Sequence, residues 1–510
     1  MFRPRFRRCS LRRLILLGSA LLIFLILVVN LTPATRRLPQ YTGRYDVGVL
    51  DLEVEVEKRV IKGFGDVMLK GVGEKAFELQ TLALTLYYPS TPPAPSPKSP
   101  RSPPHARPWL PQPISLIGTG YARIANIYFP PLQSLFSVGL WLFGRNIMIP
   151  GTVDAPLLSP GEISKLAVEG GRDGNGNGGG GVELREGKNG DRDGEEKGEL
   201  PCVVFTHGMG RMSQSYSHYL GSVASYGVVV AAIEHRDGSG PGTIIHRSDG
   251  SERTVWHLGL KDLENDPPMT APSLIAAQLA FREAEIKETI RLFRLLNAGH
   301  GDLLINLKPD SPRTVLPAFK DRLNISAVTV VGHSYGATGT LQALKNAPNE
   351  EMPINGAIAL DPGKQSGKLN TEVGLPVLVM NSGAWTEKQT KFYELGWHFV
   401  VVKDLVKNIR EGWFMTLAGS AHPSCTDVPL IIPWIMKIAT WTSLNAKVAL
   451  AEYVDVSVEF LNYLKNGEKK GVLKSRILSP AGPLGDSKMR KKIRGTEGAA
   501  WEIHVVPEKK

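Results

Sequence analysis

At 510 residues, 42% hydrophobic and 21% charged, the chain is long and apolar enough to bury a sizeable core. Its net charge of +11 forms no patterned basic face with interleaved aromatics, which argues against a nucleic-acid partner. Its three cysteines, Cys9, Cys202 and Cys425, have no CxxC spacing, which excludes a disulfide framework and argues against structural zinc.

The chain opens on Arg3, Arg5, Arg7, Arg8, Arg12 and Arg13, followed by an uncharged run from Leu14 to Leu31. At about 1.5 Å per residue this run would reach roughly 27 Å, close to a bilayer core and longer than the apolar part of a cleaved signal peptide. It reads as a transmembrane signal anchor over 14–31. The arginines of 1–13 outweigh Arg36 and Arg37 and would hold the N-terminus in the cytosol, leaving the rest lumenal or extracellular. Cys9, beside arginines and the apolar run, is a palmitoylation candidate.

Residues 41–465 read as one α/β domain with two low-complexity insertions, proline-rich near 89–113 and Gly/Asn/Asp/Glu/Lys-rich near 169–199. Neither stretch carries enough apolar surface to offset chain entropy. Between them, Tyr128–Met148 is strongly apolar with a single charge, Arg145. It is expected either as a core helix or as a surface segment dipping into a lipid interface.

Beyond the second insertion, short apolar runs alternate with helical patterns. Cys202–Thr206, Val228–Ile233, Val328–Val331, Ala357–Leu360, Val377–Met380 and Phe399–Val402 are predicted strands, and Ser213–Tyr226 and Ser273–Asn297 are predicted helices. That alternation implies a mostly parallel sheet covered on both faces. Residues 466–510 read as a basic polar tail, in which Ala499–Val506 could add a late strand.

The sharpest motif is Gly332-His333-Ser334-Tyr335-Gly336, entered from an apolar strand and followed by small residues. A serine on a strand-to-helix turn between glycines is the pattern of a nucleophile elbow. Such enzymes place the acid and then the histidine later in the chain. Asp361 ends the next predicted strand, and Asp404, which follows another, and Asp427 compete with it. For the base, His422 lies in a loop after the predicted strands. His398 begins a predicted strand, and His207, His235 and His333 precede the acid, so the order favours His422. The turn His207-Gly208-Met209-Gly210 follows a strand and could offer the Met209 backbone N–H to an oxyanion, with the Tyr335 N–H as partner. No metal constellation or GxGxxG phosphate loop is seen, so no cofactor is expected.

Taken together, Thr42–Gly48, Leu86–Ser90, Val203–Gly210, Ala231-Ala-Ile-Glu-His-Arg-Asp237, the elbow, Ile358–Asp361 and His422 with Asp427 resemble the platelet-activating-factor acetylhydrolase family over most of 41–430. The resemblance implies the α/β-hydrolase fold, Ser334, Asp361 and His422 as catalytic triad, and Met209 and Tyr335 as oxyanion-hole residues. It further implies calcium-independent hydrolysis of sn-2 acetyl, short or oxidised acyl esters of phospholipids, whereas the N-terminal anchor and the two low-complexity insertions lie outside the family's common pattern. Pro362-Gly363-Lys364 departs from the aromatic and bulky residues typical of the family after the acid. A general carboxylesterase and a catalytically silent membrane-tethered binding protein are the alternatives.

Overall fold

The computed structural model describes residues 37–91, 106–162, 199–309, 311–478 and 501–508. The basic start, the apolar run 14–31, residues 92–105, nearly all of 169–199 and residues 479–500 lie outside them. Among the described residues no helix is long and apolar enough to cross a membrane.

Runs of Val, Ile, Leu and Ala build an eleven-stranded sheet. Its strands are β1 (Asp46–Val60), β3 (Glu78–Ser90), β4 (Ala106–Pro108), β5 (Met148–Val153), β6 (Leu200–Thr206), β7 (Val229–Ile233), β11 (Leu323–His333), β12 (Ile354–Leu360), β13 (Val377–Ser382), β14 (Gly412–Leu417) and β15 (Trp501–Val505). Small two-stranded sheets pair β2 (Met68–Leu69) with β10 (Leu263–Glu264) and β8 (Gly242–His246) with β9 (Glu252–Trp256). The large sheet runs β15-β14-β13-β12-β11-β6-β7-β3-β1-β5-β4. From β14 to β7 every pairing is parallel, and the long hairpin of β1 and β3 adds antiparallel to β7.

Alternate residues of each central strand enter opposite cores, as strand pleating requires. Val204 and Val330 face one core, lined by Ile286, Ile290 and Phe293 of α4 (Ala271–Asn297), by Leu341 of α5 (Tyr335–Ala343) and by Phe399 and Val402 of α7 (His398–Lys407). Phe205 and Val331 face the other, with Ile117 of α1 (Ile114–Ile124), Tyr219 and Leu220 of α3 (Ser217–Ala224), and Tyr453 and Val454 of α10 (Ala446–Asn466). The remaining helices are α2 (Pro130–Gly144), α6 (Gly383–Glu387), α8 (Val428–Ile431) and α9 (Pro433–Thr440). Cys202 and Cys425 are both buried and free.

Two sequence expectations need correction, for 399–402 and for the proline-rich stretch, and two readings left open, a late strand in the tail and the placement of Tyr128–Met148, are resolved. Phe399–Val402 is helical: Phe399, Val402 and Val406 are buried along one face of α7 at helical spacing, with Lys403, Asp404 and Lys407 off it. The strand of that region is β14, where Trp413, Phe414, Met415 and Leu417 are all buried. The proline-rich stretch is not one exposed insertion, since β3 runs to Ser90 and β4 begins at Ala106. There Arg107 pairs with Asp51 (2.7 Å) and the Trp109 indole N–H reaches Asp427 (2.8 Å). The tail is not wholly a polar appendage, because Trp501–Val505 pair antiparallel with β14. Finally, α2 is no core helix. Of its 15 residues only Gly144 is buried, and Leu132, Val138 and Trp141 are exposed beside Phe129.

Candidate active site

Strand β11 delivers Ser334 at the carboxyl end of the parallel strands. The serine backbone lies at φ 58°, ψ −117°, a strained conformation for a residue with a Cβ. The turn is sharp enough that a Cβ on Gly332 would collide with the Gly336 carbonyl, and one on Gly336 with the Thr206 carbonyl. Those two glycines are therefore required by sterics. The Ser334 N–H donates to the Leu360 carbonyl (2.9 Å), and the Ser334 carbonyl accepts from Ala337, Thr338 and Gly363 N–H.

On the neighbouring strand, β12, the chain turns at Asp361, also at positive φ (46°). Its carboxylate accepts from the Ser382 N–H (2.6 Å), the Ser382 hydroxyl (2.7 Å) and His422 Nδ1 (2.9 Å). His422 follows β14 and is sandwiched. The Trp385 indole stacks on one side (centroids 4.0 Å, planes at 12°), and the His333 ring lies 4.4 Å away. Burial holds His333 neutral by pushing its pKa well below the usual range. Among the described residues no hydrogen bond joins Ser334 Oγ to His422, a contact that in free hydrolases often tightens only with substrate bound.

The rival acids lie elsewhere. Asp404 sits within α7 rather than at a strand end. Asp427 accepts from Trp109, from the Ser217 N–H and hydroxyl, and from the His218 N–H, and so caps the start of α3. Burial pushes its pKa up to about 7 against those donors.

The turn 207–210 is tied down at three points. The His207 carbonyl accepts from Arg282 (2.6 Å), the Gly208 N–H donates to the Tyr216 hydroxyl (3.2 Å), and the Gly210 N–H donates to the Ser239 carbonyl (2.8 Å). The Met209 N–H donates to no acceptor among the described residues, and its side chain is exposed. Tyr335 is the first residue of α5, so its N–H also lacks a helical partner. The Tyr216 hydroxyl also hydrogen-bonds His333 Nδ1 (2.7 Å). Beneath the turn His235 meets Glu285 at 2.5 Å. Burial drives the His235 pKa down and the Glu285 pKa up.

Tyr216, Arg282 and Trp385 were not singled out from the sequence. Arg282 carried a signal, standing between Leu279 and Ile286 on the apolar stripe of a long helix, where a charge needs a reason. Trp385 carried none, since it meets His422 only through the fold. Among the described residues one set could hold a metal ion, His333, Asp361 and His422, whose ligand atoms lie within 4.8 Å of one another. These are the residues of the acid–histidine pair and its ring neighbour, with the Asp361 oxygens already engaged.

Comparison with known proteins bears on the family and the fold. The chain is 25% identical over 236 residues to a platelet-activating factor acetylhydrolase of Bos taurus, covering 45% of this chain and 48% of the relative. It is 25% identical over 273 residues to that of Gallus gallus, covering 51% and 59%. A putative phospholipase A2 of Schizosaccharomyces pombe is 29% identical over 147 residues, covering 28% and 34%. The chain thus spans between about a third and three-fifths of the length of these relatives. In fold it is similar to a ferulic acid esterase from Streptomyces cinnamoneus, with TM-score 0.52 and 15% identity over 92% of this chain and 99% of the other. Residues 182–473, more than half the chain, match the family model of platelet-activating factor acetylhydrolase, isoform II, and the chain belongs to that family.

Proposed function

We propose that this hydrolase is a serine esterase that cleaves the sn-2 acetyl, short or oxidised acyl ester of phospholipids such as platelet-activating factor, without calcium. The observation that carries the reading is a serine on a strained, glycine-flanked turn beside a hydrogen-bonded Asp361–His422 pair, within the segment matched to the family. Ser334 loses its proton to His422 and attacks the ester carbonyl. The oxyanion is met by the Met209 and Tyr335 N–H groups. The imidazolium, oriented by Asp361, protonates the leaving alcohol, and water activated by the same ring releases the acid from the acyl-enzyme.

The test is a panel of 1-alkyl-2-acyl phosphatidylcholines of increasing sn-2 length, each assayed with calcium and with chelator. Turnover should be highest for acetyl, decline with chain length and ignore the chelator. A preference for aryl or feruloyl esters with no phospholipid turnover would replace the reading with a general carboxylesterase. Loss of activity in chelator would remove calcium independence.

Membrane association belongs to the same proposal. Phe129, Leu132, Val138 and Trp141 around α2 are exposed, as are Trp434, Ile438 and Trp441 around α9, which closely follows His422. Helix α2 packs on α1, whose Ile124 lies 3.6 Å from a Cβ placed on Gly210 of the oxyanion turn. Apolar helices beside the catalytic turn suit a lipid interface from which substrate is drawn. The run 14–31 would anchor the chain with a cytosolic N-terminus and a lumenal or extracellular catalytic domain. Recovery of the full-length chain in an alkaline carbonate supernatant would rule out that spanning helix.

A further inference from the structure

Arg282, on the inner face of α4, is fully buried, and every nitrogen of its guanidinium is engaged. Nε donates to Asp237 Oδ2 (2.7 Å) and Nη2 to Ser239 Oγ (2.6 Å). Nη1 donates to the His207 carbonyl (2.6 Å) and to Thr206 Oγ1 (3.1 Å). Its Cζ also lies 4.5 Å from the centre of the Tyr335 ring, whose hydroxyl donates back to Ile275 O (3.1 Å) and Gln278 Oε1 (2.9 Å) on the same helix.

These contacts converge on both halves of the oxyanion site. The His207 carbonyl fixes the entry to the Met209 turn, and Ser239 accepts the Gly210 N–H at its exit. Tyr335 carries the other N–H. We infer that Arg282 is a positioning residue that sets the spacing between the Met209 and Tyr335 N–H groups, an inference that rests on the Ser334 esterase reading proposed above. It touches no reacting atom and acts by holding two loops in one register.

Pairing with the buried Asp237 carboxylate, whose Oδ1 also accepts from the Ser239 N–H (2.9 Å) and hydroxyl (2.5 Å), does not by itself require an arginine. A lysine could supply the charge. Only a planar fork can bond Asp237, Ser239 and the His207 carbonyl while lying over an aromatic ring. Oxyanion donors act by preorganisation, with a tolerance of about 0.5 Å, so a turn released at one end loses transition-state stabilisation before it loses substrate affinity.

Two variants test this on the full-length enzyme: Arg282→Lys, which keeps the charge beside Asp237, and Arg282→Met combined with Asp237→Asn, which removes both. Each is assayed with a soluble acetyl ester and titrated with a trifluoromethyl ketone, which mimics the tetrahedral intermediate. The expected result is a fall in kcat of about a hundredfold, the size of losing one oxyanion donor, with KM little changed. Inhibitor affinity should fall by the factor by which kcat/KM falls, while the melting temperature of Arg282→Lys stays near wild type. Either folded variant with wild-type kcat, or with KM raised and inhibitor affinity intact, overturns the inference. Ser334→Ala run alongside separates the two levels. Loss of fluorophosphonate labelling there, with no transition-state defect in the Arg282 variants, sinks the inference alone. Retained labelling sinks the esterase reading and the inference with it.

Discussion

The carboxyl edge of the parallel strands and helix α2 are built on opposite principles. At the strand edge the side chains are held by dense hydrogen bonding: Asp361 accepts three hydrogen bonds, Arg282 makes four, and the proposed oxyanion turn is tied at His207, Gly208 and Gly210. In α2 the side-chain bonds of Ser134 and Ser137 return to carbonyls of the same helix or its neighbour, and almost every apolar residue keeps contact with solvent. Strained backbone at φ 58° and 46° persists at the strand edge because so many partners over-determine it. Helix α2 packs on α1 and presents apolar surface to its surroundings. Precision lies at the edge, and the exposed helix leaves a face for a second phase.

The strongest way to break this contrast is to remove a member of the proposed triad. Ser334→Ala should abolish both turnover and fluorophosphonate labelling, and His422→Ala should lower kcat by about four orders of magnitude or more, since such residues act as a unit. The fold should be unaffected, as Ser334 contributes no side-chain hydrogen bond among the described residues. Near-wild-type labelling of Ser334→Ala would show that the edge serves something other than nucleophilic catalysis.

A smaller effect is expected at the exposed face. Trp141→Asp with Trp441→Asp should lower hydrolysis of bilayer-embedded phospholipid about tenfold, leaving a soluble acetyl ester and the melting temperature unchanged. If both substrates and stability fall together, the helix is load-sharing core and the contrast fails, because buried charges cost several kcal/mol.

The smallest effect concerns pH. His218 on α3 is buried, with Nε2 donating to the Gln40 carbonyl (3.2 Å), and burial depresses its pKa to about 4. The unfolded chain binds this proton near pH 6.5, so the stabilisation is complete above that value and is lost as pH falls towards 4. The melting temperature should decline over that window, and His218→Gln should make the decline shallower. An identical slope in the variant would assign acid lability to other groups, such as His398, whose pKa burial lowers to about 3.

How much of this was legible beforehand follows from the range of the forces involved. Local signals sufficed for the central strands, for α4 and for the turn carrying Ser334, because apolar runs, helical spacing and flanking glycines act within a few residues. The strand of 412–417 was missed in favour of 399–402, since four apolar residues in a row suit either a strand or one face of a helix. Only the packing of Phe399, Val402 and Val406 against the sheet decides between them. The exposure of α2 was likewise left open, because apolar composition alone does not say which side of a helix meets solvent. Trp385 over His422 and Tyr216 between Gly208 and His333 were invisible, being joined to their partners only through the folded sheet.

Strand β15 has one further consequence. Trp501, Glu502, Ile503 and Val505 pair with β14, and His504 reaches Thr416 Oγ1 (2.8 Å) between the rings of Phe399 and Phe414. Without it, β14 would present a row of unpaired amides flanked by apolar side chains, a template for another copy of the protein. A chain cut before Trp501 would retain every residue of the proposed active site and yet be prone to self-association. Light scattering of such a truncation, against the full chain at equal concentration, would reveal whether the last strand acts as a shield against aggregation rather than as part of the catalytic machinery.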